Sequence, residues 1–149
     1  IKGVEYMNIR DYKFLIIPIT AWGTVQIFKF LVDAFKNRKI NFRRLAETGG
    51  MPSSHSATVT SLMTAVGISE GFSSPIFAVA FVFSIIVMYD AAGVRRAAGK
   101  QASILNQLIN SKQVHVDTNE KLKELLGHTP VQVIVGAIYG VIVGIIFML

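Results

Sequence analysis

Long stretches without a charged residue are the feature that most limits what this chain can fold into. No Asp, Glu, Lys or Arg occurs in residues 14–28, 48–69, 71–89 or 129–149. A helix that crosses the hydrocarbon core of a bilayer needs about 20 apolar residues, and the last two stretches fit directly. The first fits if the lysine after it lies near an end of the span or faces the protein interior. The second is the weakest because serine and threonine are frequent in it. The pattern predicts an all-α integral membrane helical bundle of about four spans, with short interfacial helices such as 122–126.

The composition indicates the same class of protein. Charged residues make up 16% of the 149 positions, whereas an ordinary soluble domain has roughly 25%. The absence of cysteine excludes a disulfide scaffold, a zinc finger and an iron–sulfur protein. A soluble helical bundle is the alternative, but its surface helices should carry a polar stripe, which residues 72–89 and 131–149 lack. We expect one membrane domain over residues 1–149, and we set aside residues 1–6, which precede Met7, as added, processed or flexible.

The basic residues are concentrated in two connections between the apolar stretches. Of the 15 lysines and arginines, five lie in residues 36–47 and six in residues 93–128. With four spans, both connections lie on one side of the membrane, and the positive-inside rule makes that side cytoplasmic with both termini outside. The plasma membrane is the expected location. Membrane lipid is the expected partner, and nucleic acid is not, because no basic face with interleaved aromatic residues is present.

The first motif that could carry chemistry is ETGGMPSSHSA at residues 47–57. Pro52 suits the first position of a helix. The backbone N–H groups of Ser53, Ser54 and His55 would then lie at a helix N-terminus, which is an anion-binding position. The same residues are equally compatible with an ordinary capped helix that carries a solvated histidine.

The second motif is YDAAGVRRAAGKQ at residues 89–101, directly after an apolar stretch. Asp90 at a membrane boundary is costly unless it is paired, and Arg95 or Lys29 is its expected partner. Arg95 and Arg96 can offer forked donors to phosphate oxygens. The alternative is a basic belt whose side chains reach the headgroups from a helix end.

The third motif is GHTPVQ at residues 127–132, which opens the final apolar stretch. Residues four apart share a helix face, so Gln132 could accept a hydrogen bond from the His128 ring and fix its tautomer. The alternative is an interfacial histidine without a chemical role. The predicted topology puts all three motifs on one membrane face, where two histidines, two arginines and a lysine can converge.

The segments GGMPSSHSA, DAAGVRRAAGKQA and GHTPVQVIVGAIYG resemble the divergent type-2 phosphatidic acid phosphatase family, which is related to acid phosphatases and vanadium-dependent haloperoxidases. The resemblance covers nearly the whole chain from Met7. It implies a helical bundle that hydrolyses phosphomonoesters through a phosphohistidine, without metal or other cofactor. By the same resemblance His128 is the nucleophile and His55 the general acid, and Gln132 stands where the parent family has an orienting carboxylate.

The resemblance also implies a set of phosphate ligands. Arg95 or its neighbour resembles the third-motif arginine, although an insertion must be assumed because 33 residues separate Arg95 from His128. The first motif is degenerate, since Lys36 and Arg43 match its spacing but no proline follows Arg43. Lys29, inside a span, is the stronger candidate for a phosphate ligand. The expected phosphate-binding residues are Lys29, Lys36, Ser53, Ser54, Arg95 and Arg96.

The expected function is therefore a membrane phosphatase that acts on a lipid phosphate or pyrophosphate. One alternative is a degenerate relative that binds a phosphate-bearing lipid or a partner without turnover, which Gln132 favours. Another is a small dimeric transporter that uses Lys29 and Asp90 as charges within the membrane. A stripe of glycines in the last apolar stretch permits close helix approach, either in a homodimer or inside one subunit. It consists of Gly136, Gly140 and Gly144.

Overall fold

A computed structural model describes residues 12–45, 49–110, 122 and 127–149. These residues form α-helices and a short 3₁₀ helix, and no strand occurs among them. The α-helices are α1 (Lys13–Asn37), α2 (Ser54–Glu70), α3 (Pro75–Ala92), α4 (Val94–Asn110) and α5 (Pro130–Met148), and the 3₁₀ helix is Phe42–Leu45. The predicted all-α membrane bundle is confirmed. The predictions for residues 1–6 and for most of 122–126 lie outside the described residues.

The predicted spans correspond to α1, α2, α3 and α5. Among the described residues, three helical segments are long and apolar enough to cross a membrane, namely Lys13–Asn37, Pro75–Ile109 and Pro130–Met148. The 17-residue α2 lies among them and contacts α1, α3 and α5. Because its serines and threonines face protein and bond to backbone carbonyls, α2 does not need the apolar sequence of a lipid-exposed helix. The prediction of about four spans is kept, with three strongly apolar segments and a more polar α2 among them.

Two backbone hydrogen bonds show how the helices are oriented. Ser53 N–H donates to the Gln132 carbonyl at 3.0 Å, and His128 N–H donates to the Ala91 carbonyl at 2.9 Å. These bonds hold the starts of α2 and α5 beside the end of α3. Helices α2 and α5 are therefore parallel, and α1 and α3 run in the opposite direction. All three sequence motifs meet at this end of the bundle, which we call the histidine end.

One side of α2, which we call the packed face, lies directly against the glycine stripe of α5. A Cβ atom at Gly136 would collide with the backbone of Ser53, and one at Gly140 with the backbone of Ala57. Gly144 approaches α2 in the same way further along. The glycine stripe expected as a possible homodimer contact is thus occupied within one chain, because only hydrogen side chains let the two backbones come this close.

The other side of α2, which we call the open face, lies between α1 and α3. His55, Leu62 and Val66 share this face, because separations of seven and eleven residues correspond to about two and three helical turns. Helices α1 and α3 each pack on α2 but not on each other in the described part of the chain. The open face is therefore the floor of a groove.

Helix α4 folds from the basic connection predicted at residues 93–128. It packs on α3 alone among the described helices. Arg96 and Leu105 are both exposed on it, and such a combination of basic and apolar faces is typical of an interfacial helix. The Asn106 side chain donates to the Leu122 carbonyl at 2.8 Å and accepts from the Leu122 N–H at 3.0 Å. Leu122 thus lies against α4.

Candidate functional site

His55 and His128 lie side by side at the histidine end. The distance from His55 Nδ1 to His128 Nε2 is 3.4 Å, and the two rings meet edge to face. His55 comes from the first turn of α2, and His128 lies two residues before α5. The structure therefore brings together the two histidines that the sequence singles out, although 73 residues separate them along the chain.

The backbone of Gly127 and His128, just before α5, is held in place by contacts with the residues around the end of α3. Gly127 has a φ of +88°, and a Cβ atom on it would collide with the backbone of Arg96. Only glycine tolerates both conditions without strain. The hydrogen bond from His128 N–H to Ala91 then anchors the next residue to the end of α3. The His128 ring is thus positioned by backbone contacts on both sides.

The His128 ring is buried and uncharged at neutral pH. Only 2% of its surface is exposed. Burial first, and then the positive charges of Lys29 and His55, lower the pKa of His128 to about 4, and the neighbouring Gln132 and Gly50 oppose this shift only in part. Its Nε2 atom is the ring nitrogen that lies against His55. A neutral imidazole retains a nitrogen lone pair, which a nucleophile requires.

Lys29 is buried in α1 beside the two histidines. It is 5% exposed, and its Nζ donates to Gln26 Oε1 at 3.3 Å. Gln26 Nε2 in turn donates to the Leu45 carbonyl at 2.9 Å, which ties α1 to the 3₁₀ helix. Sequence reasoning did not identify Gln26. The signal was present, because a glutamine three residues before a lysine inside an apolar stretch lies on the same helix face.

The predicted partner of Asp90 is Arg95. Arg95 Nε lies 2.6 Å from Asp90 Oδ2, and both side chains are partly exposed. Lys29, Arg95 and Asp90 all act electrostatically on His55, so this ion pair lies at the edge of the histidine pair. The net charge of these neighbours is positive, which favours an anion at this end of the bundle.

The remaining basic residues predicted as phosphate ligands lie further out. Lys36 is exposed in the last turn of α1, about 10 Å along the helix axis from Lys29. It is not among the charges that act on the two histidines. Arg96 is exposed on the first turn of α4, where its backbone contacts Gly127.

The start of α2 differs from the prediction by two residues. The helix begins at Ser54, and Ser53 is its N-cap, with Ser53 Oγ accepting from Ser56 N–H at 3.3 Å. Pro52 therefore precedes the cap and is not the first helical residue. The reason is that a serine hydroxyl in an extended conformation satisfies an amide of the first turn, which proline cannot do.

The amides at this helix start are only partly available to an anion. Ser53 N–H is occupied by the Gln132 carbonyl. The N–H groups of Ser54 and His55 have no hydrogen-bond partner within the described residues. Because α2 and α5 are parallel, their positive N-terminal ends lie together at the histidine end and add to the charge of Lys29.

Gln132 has a structural partner that sequence reasoning did not identify, although Thr-x-x-Gln at 129–132 is the sequence signature of a capping box. Gln132 Oε1 accepts from Thr129 N–H at 3.0 Å, and Thr129 Oγ1 accepts from Gln132 N–H at 3.4 Å. This reciprocal pair is a capping box at the start of α5. Gln132 also acts on the His128 ring through a side-chain hydrogen bond that favours its charged form. The amide oxygen has two lone pairs, so the capping box leaves one for the imidazole. That Gln132 orients the ring stays a prediction.

Among the described residues, no group of three or more His, Cys, Asp or Glu side chains comes together as metal ligands would. The described groups at the histidine end include two imidazoles, a buried ammonium, backbone amides, and a guanidinium paired with the Asp90 carboxylate. The cationic and N–H groups among them are suited to binding the oxygens of a phosphate.

Comparison with known proteins places this chain in a family. Its residues 10–143 match the model of the Divergent PAP2 family, so the chain belongs to that family. It is 39% identical over 144 residues to the uncharacterized membrane protein YuiD of Bacillus subtilis (strain 168), which covers 89% of this chain and 91% of that protein. No solved structure matches it. The protein is thus a membrane protein related to the PAP2 phosphatases, as its motifs indicated.

Proposed function

We propose that this protein is a membrane phosphatase that hydrolyses a lipid phosphate or pyrophosphate through a phosphohistidine on His128. The observation that carries the proposal is the contact of His55 with His128 beside the buried Lys29. Phosphoryl transfer needs cations around the equatorial oxygens and a nucleophile in line with the leaving group. The histidine end offers both kinds of group at one place.

The proposed reaction has two steps. In the first, a neutral nitrogen of His128 attacks phosphorus, the bond to the leaving oxygen breaks, and that oxygen takes a proton from His55. In the second, His55 takes a proton from water, the water oxygen attacks the phosphohistidine, and inorganic phosphate leaves His128. Lys29, Arg95 and the Ser54 N–H stabilise the charge on the phosphate oxygens in both steps.

The ring contact sets a condition for this chemistry. A nucleophile approaches its target to about 3 Å, and a general acid lies about 3 Å from the oxygen that it protonates. Because the P–O bond lies between these two contacts, an in-line phosphate requires the two imidazole nitrogens to be more than about 6 Å apart. They are 3.4 Å apart in the structure. We infer that the rings separate when phosphate enters, and that His55, the less buried of the two, moves.

The test is release of phosphate by purified protein from several lipid phosphates in proteoliposomes. We expect His128→Asn and His55→Asn each to lower the rate at least about 100-fold, because each removes a group that takes part directly in the reaction. Asparagine keeps a polar side chain of intermediate size, and circular dichroism checks that both variants fold. Equal rates in the wild type and both variants would reject the enzyme proposal.

A second candidate is a protein that binds a phosphate-bearing lipid without turnover. The short spacing favours it, because 3.4 Å between the ring nitrogens leaves no room for a phosphate between them. The amide of Gln132 also favours it, since it carries no negative charge to stabilise an imidazolium. The variant Gln132→Glu separates the two candidates, because a carboxylate near the His128 ring can stabilise an imidazolium. A large gain in phosphate release supports a weakened enzyme, and no gain supports a binding protein.

We further propose that the histidine end faces the cytoplasm at the plasma membrane, with both termini outside. The basic residues at this end support the proposal through the positive-inside rule. The chain contains no cysteine, so a single introduced cysteine reports its side of the membrane without background. With a maleimide that does not cross membranes, intact cells should label Ser73→Cys but not Lys100→Cys. The reverse labelling would invert the orientation.

A further inference from the structure

The open face of α2 carries an apolar cavity of about 480 Å³. It lies between α1, α2 and α3, and apolar side chains from each of these helices line it. The lining side chains used below are Phe14 from α1, Leu62 and Val66 from α2, and Ile76, Val79 and Phe83 from α3. We call this cavity the α1–α3 groove.

The groove lies in line with the histidine end. Leu62 and Val66 follow His55 on the same face of α2, about 10 Å and 16 Å further along the helix axis. The hydrocarbon core of a bilayer is about 30 Å thick, so this part of α2 lies at the depth of lipid chains. The far end of the groove is marked by Glu70, which accepts a hydrogen bond from Ser69 at 3.0 Å.

The groove is open to the side. Its walls, α1 and α3, do not pack against each other, and both belong to segments apolar enough to cross a membrane. Val79 is 64% exposed and Phe83 is 52% exposed on the α3 wall. A molecule can therefore enter from the bilayer without leaving the hydrocarbon phase.

We propose that the α1–α3 groove holds the hydrocarbon chain of the lipid whose phosphate lies beside His55 and Lys29. This rests on the proposed phosphate site and adds the part of the substrate that the protein recognises in the membrane. Cations at one end of the face and an apolar groove further along it match one amphiphile with an anionic head and a long chain. The groove begins about 10 Å from His55 along the axis of α2. A hydrocarbon chain too short to span this distance makes no contact with the groove and gains no affinity from it. The site therefore selects lipids with long chains.

The experiment compares butylphosphonate with hexadecylphosphonate, which carry the same non-hydrolysable head group. Binding to purified protein in nanodiscs is measured by phosphorus NMR titration. Ala80 lines the groove, and Ala80→Phe fills it. Ala78, two residues away on the same helix, is exposed and does not line the groove, so Ala78→Phe is the matched control. Both variants add the same side chain, and partition of the ligand into the bilayer is the same for both.

We expect Ala80→Phe to weaken hexadecylphosphonate binding about tenfold and to leave butylphosphonate binding unchanged, because only the long chain loses buried apolar contact. Ala78→Phe should change neither. Equal affinities of Ala80→Phe and Ala78→Phe for the long chain would overturn the proposal. Leu62→Phe narrows the groove from its floor and replaces Ala80→Phe if that variant does not fold.

The same binding measurements distinguish failure of the proposed phosphate site from failure of the proposed groove. If the wild type binds neither phosphonate, the head-group site is rejected, and the groove is tested alone with a photoreactive hexadecanol. Labelling of the α3 peptide that is lost in Ala80→Phe but kept in Ala78→Phe supports the groove, and equal labelling rejects it. A dimer that dissociates only in Ala80→Phe would show that a second copy occupies the groove, and would also overturn the proposal.

Discussion

The packed face and the open face of α2 differ in the size of the side chains that line them and in how closely the neighbouring helices approach. On the packed face, glycines of α5 bring the two backbones into direct contact, and Thr60 Oγ1 donates across the interface to the Ala137 carbonyl at 3.0 Å. On the open face, larger apolar side chains such as Leu62 and Val66 line a cavity. Small residues therefore join two helices into one unit, whereas large residues between two separated helices leave room for a ligand.

The two faces therefore have different roles, one in positioning the histidines and one in binding a ligand. The packed face joins the starts of α2 and α5. His55 lies in the first turn of α2, and His128 lies two residues before α5. The contact between the two rings therefore depends on the register of these two helices. The open face has no such register to maintain, and variation there should alter what the protein binds more than whether it folds.

The largest expected effect is at the packed face. Gly140→Ala should lower the free energy of unfolding by about 2 kcal/mol or more, because the added methyl collides with the backbone of Ala57. Gly23→Ala in α1 is the matched control, since nothing lies within 4 Å of a Cβ atom there. It should be neutral or stabilise by up to about 1 kcal/mol. Unfolding in detergent by urea measures both, and equal effects would show that the packed face tolerates side chains.

The next largest effect is the pH dependence of stability, which tests the burial of His128. Its pKa is about 4 in the folded protein and about 6.5 when unfolded, so the unfolded state binds more protons between these values. Stability should fall as pH decreases from 6.5 to 4, by at most about 1.4 kcal/mol per pH unit. His128→Asn should remove most of this slope in urea titrations at several pH values. An unchanged slope would mean that other groups cause it.

The smallest expected effect is at the ion pair that borders the open face. Asp90→Asn removes the partner of Arg95, but both side chains are partly exposed. The loss of stability should therefore be less than about 1 kcal/mol and should shrink at high salt. Thermal unfolding of the variant and the wild type at two salt concentrations measures it. A loss of several kcal/mol would show that the carboxylate supports more than Arg95.

Much of the fold follows from local sequence properties. The charge-free stretches predicted α1, α3 and α5, and the distribution of lysine and arginine predicted that the three motifs share one end. The ion pair of Asp90 followed from the cost of an unpaired carboxylate at a membrane boundary. Helix α2 was the weakest prediction, because its serines and threonines lower its hydropathy. Their explanation, contact with α5, is not visible in α2 alone.

The site was less predictable because its geometry depends on contacts between distant residues. The distance between His55 and His128 is set by how closely the glycine stripe lets α5 approach α2, which the spacing of the motifs does not encode. Gln132 was predicted to orient His128, and the structure adds a second role, because its side-chain oxygen also accepts from Thr129 N–H. Such a capping contact depends on the local backbone at the helix start.

The parallel arrangement of α2 and α5 has a consequence for how the protein is made. Parallel neighbours cannot be joined by a tight turn, and α5 begins sixty residues after α2 ends. During synthesis, α2 therefore leaves the ribosome well before the surface that covers its serines and threonines exists. We therefore expect α2 to complete its packing only after the last helix is delivered, which makes assembly of this bundle a late event in translation.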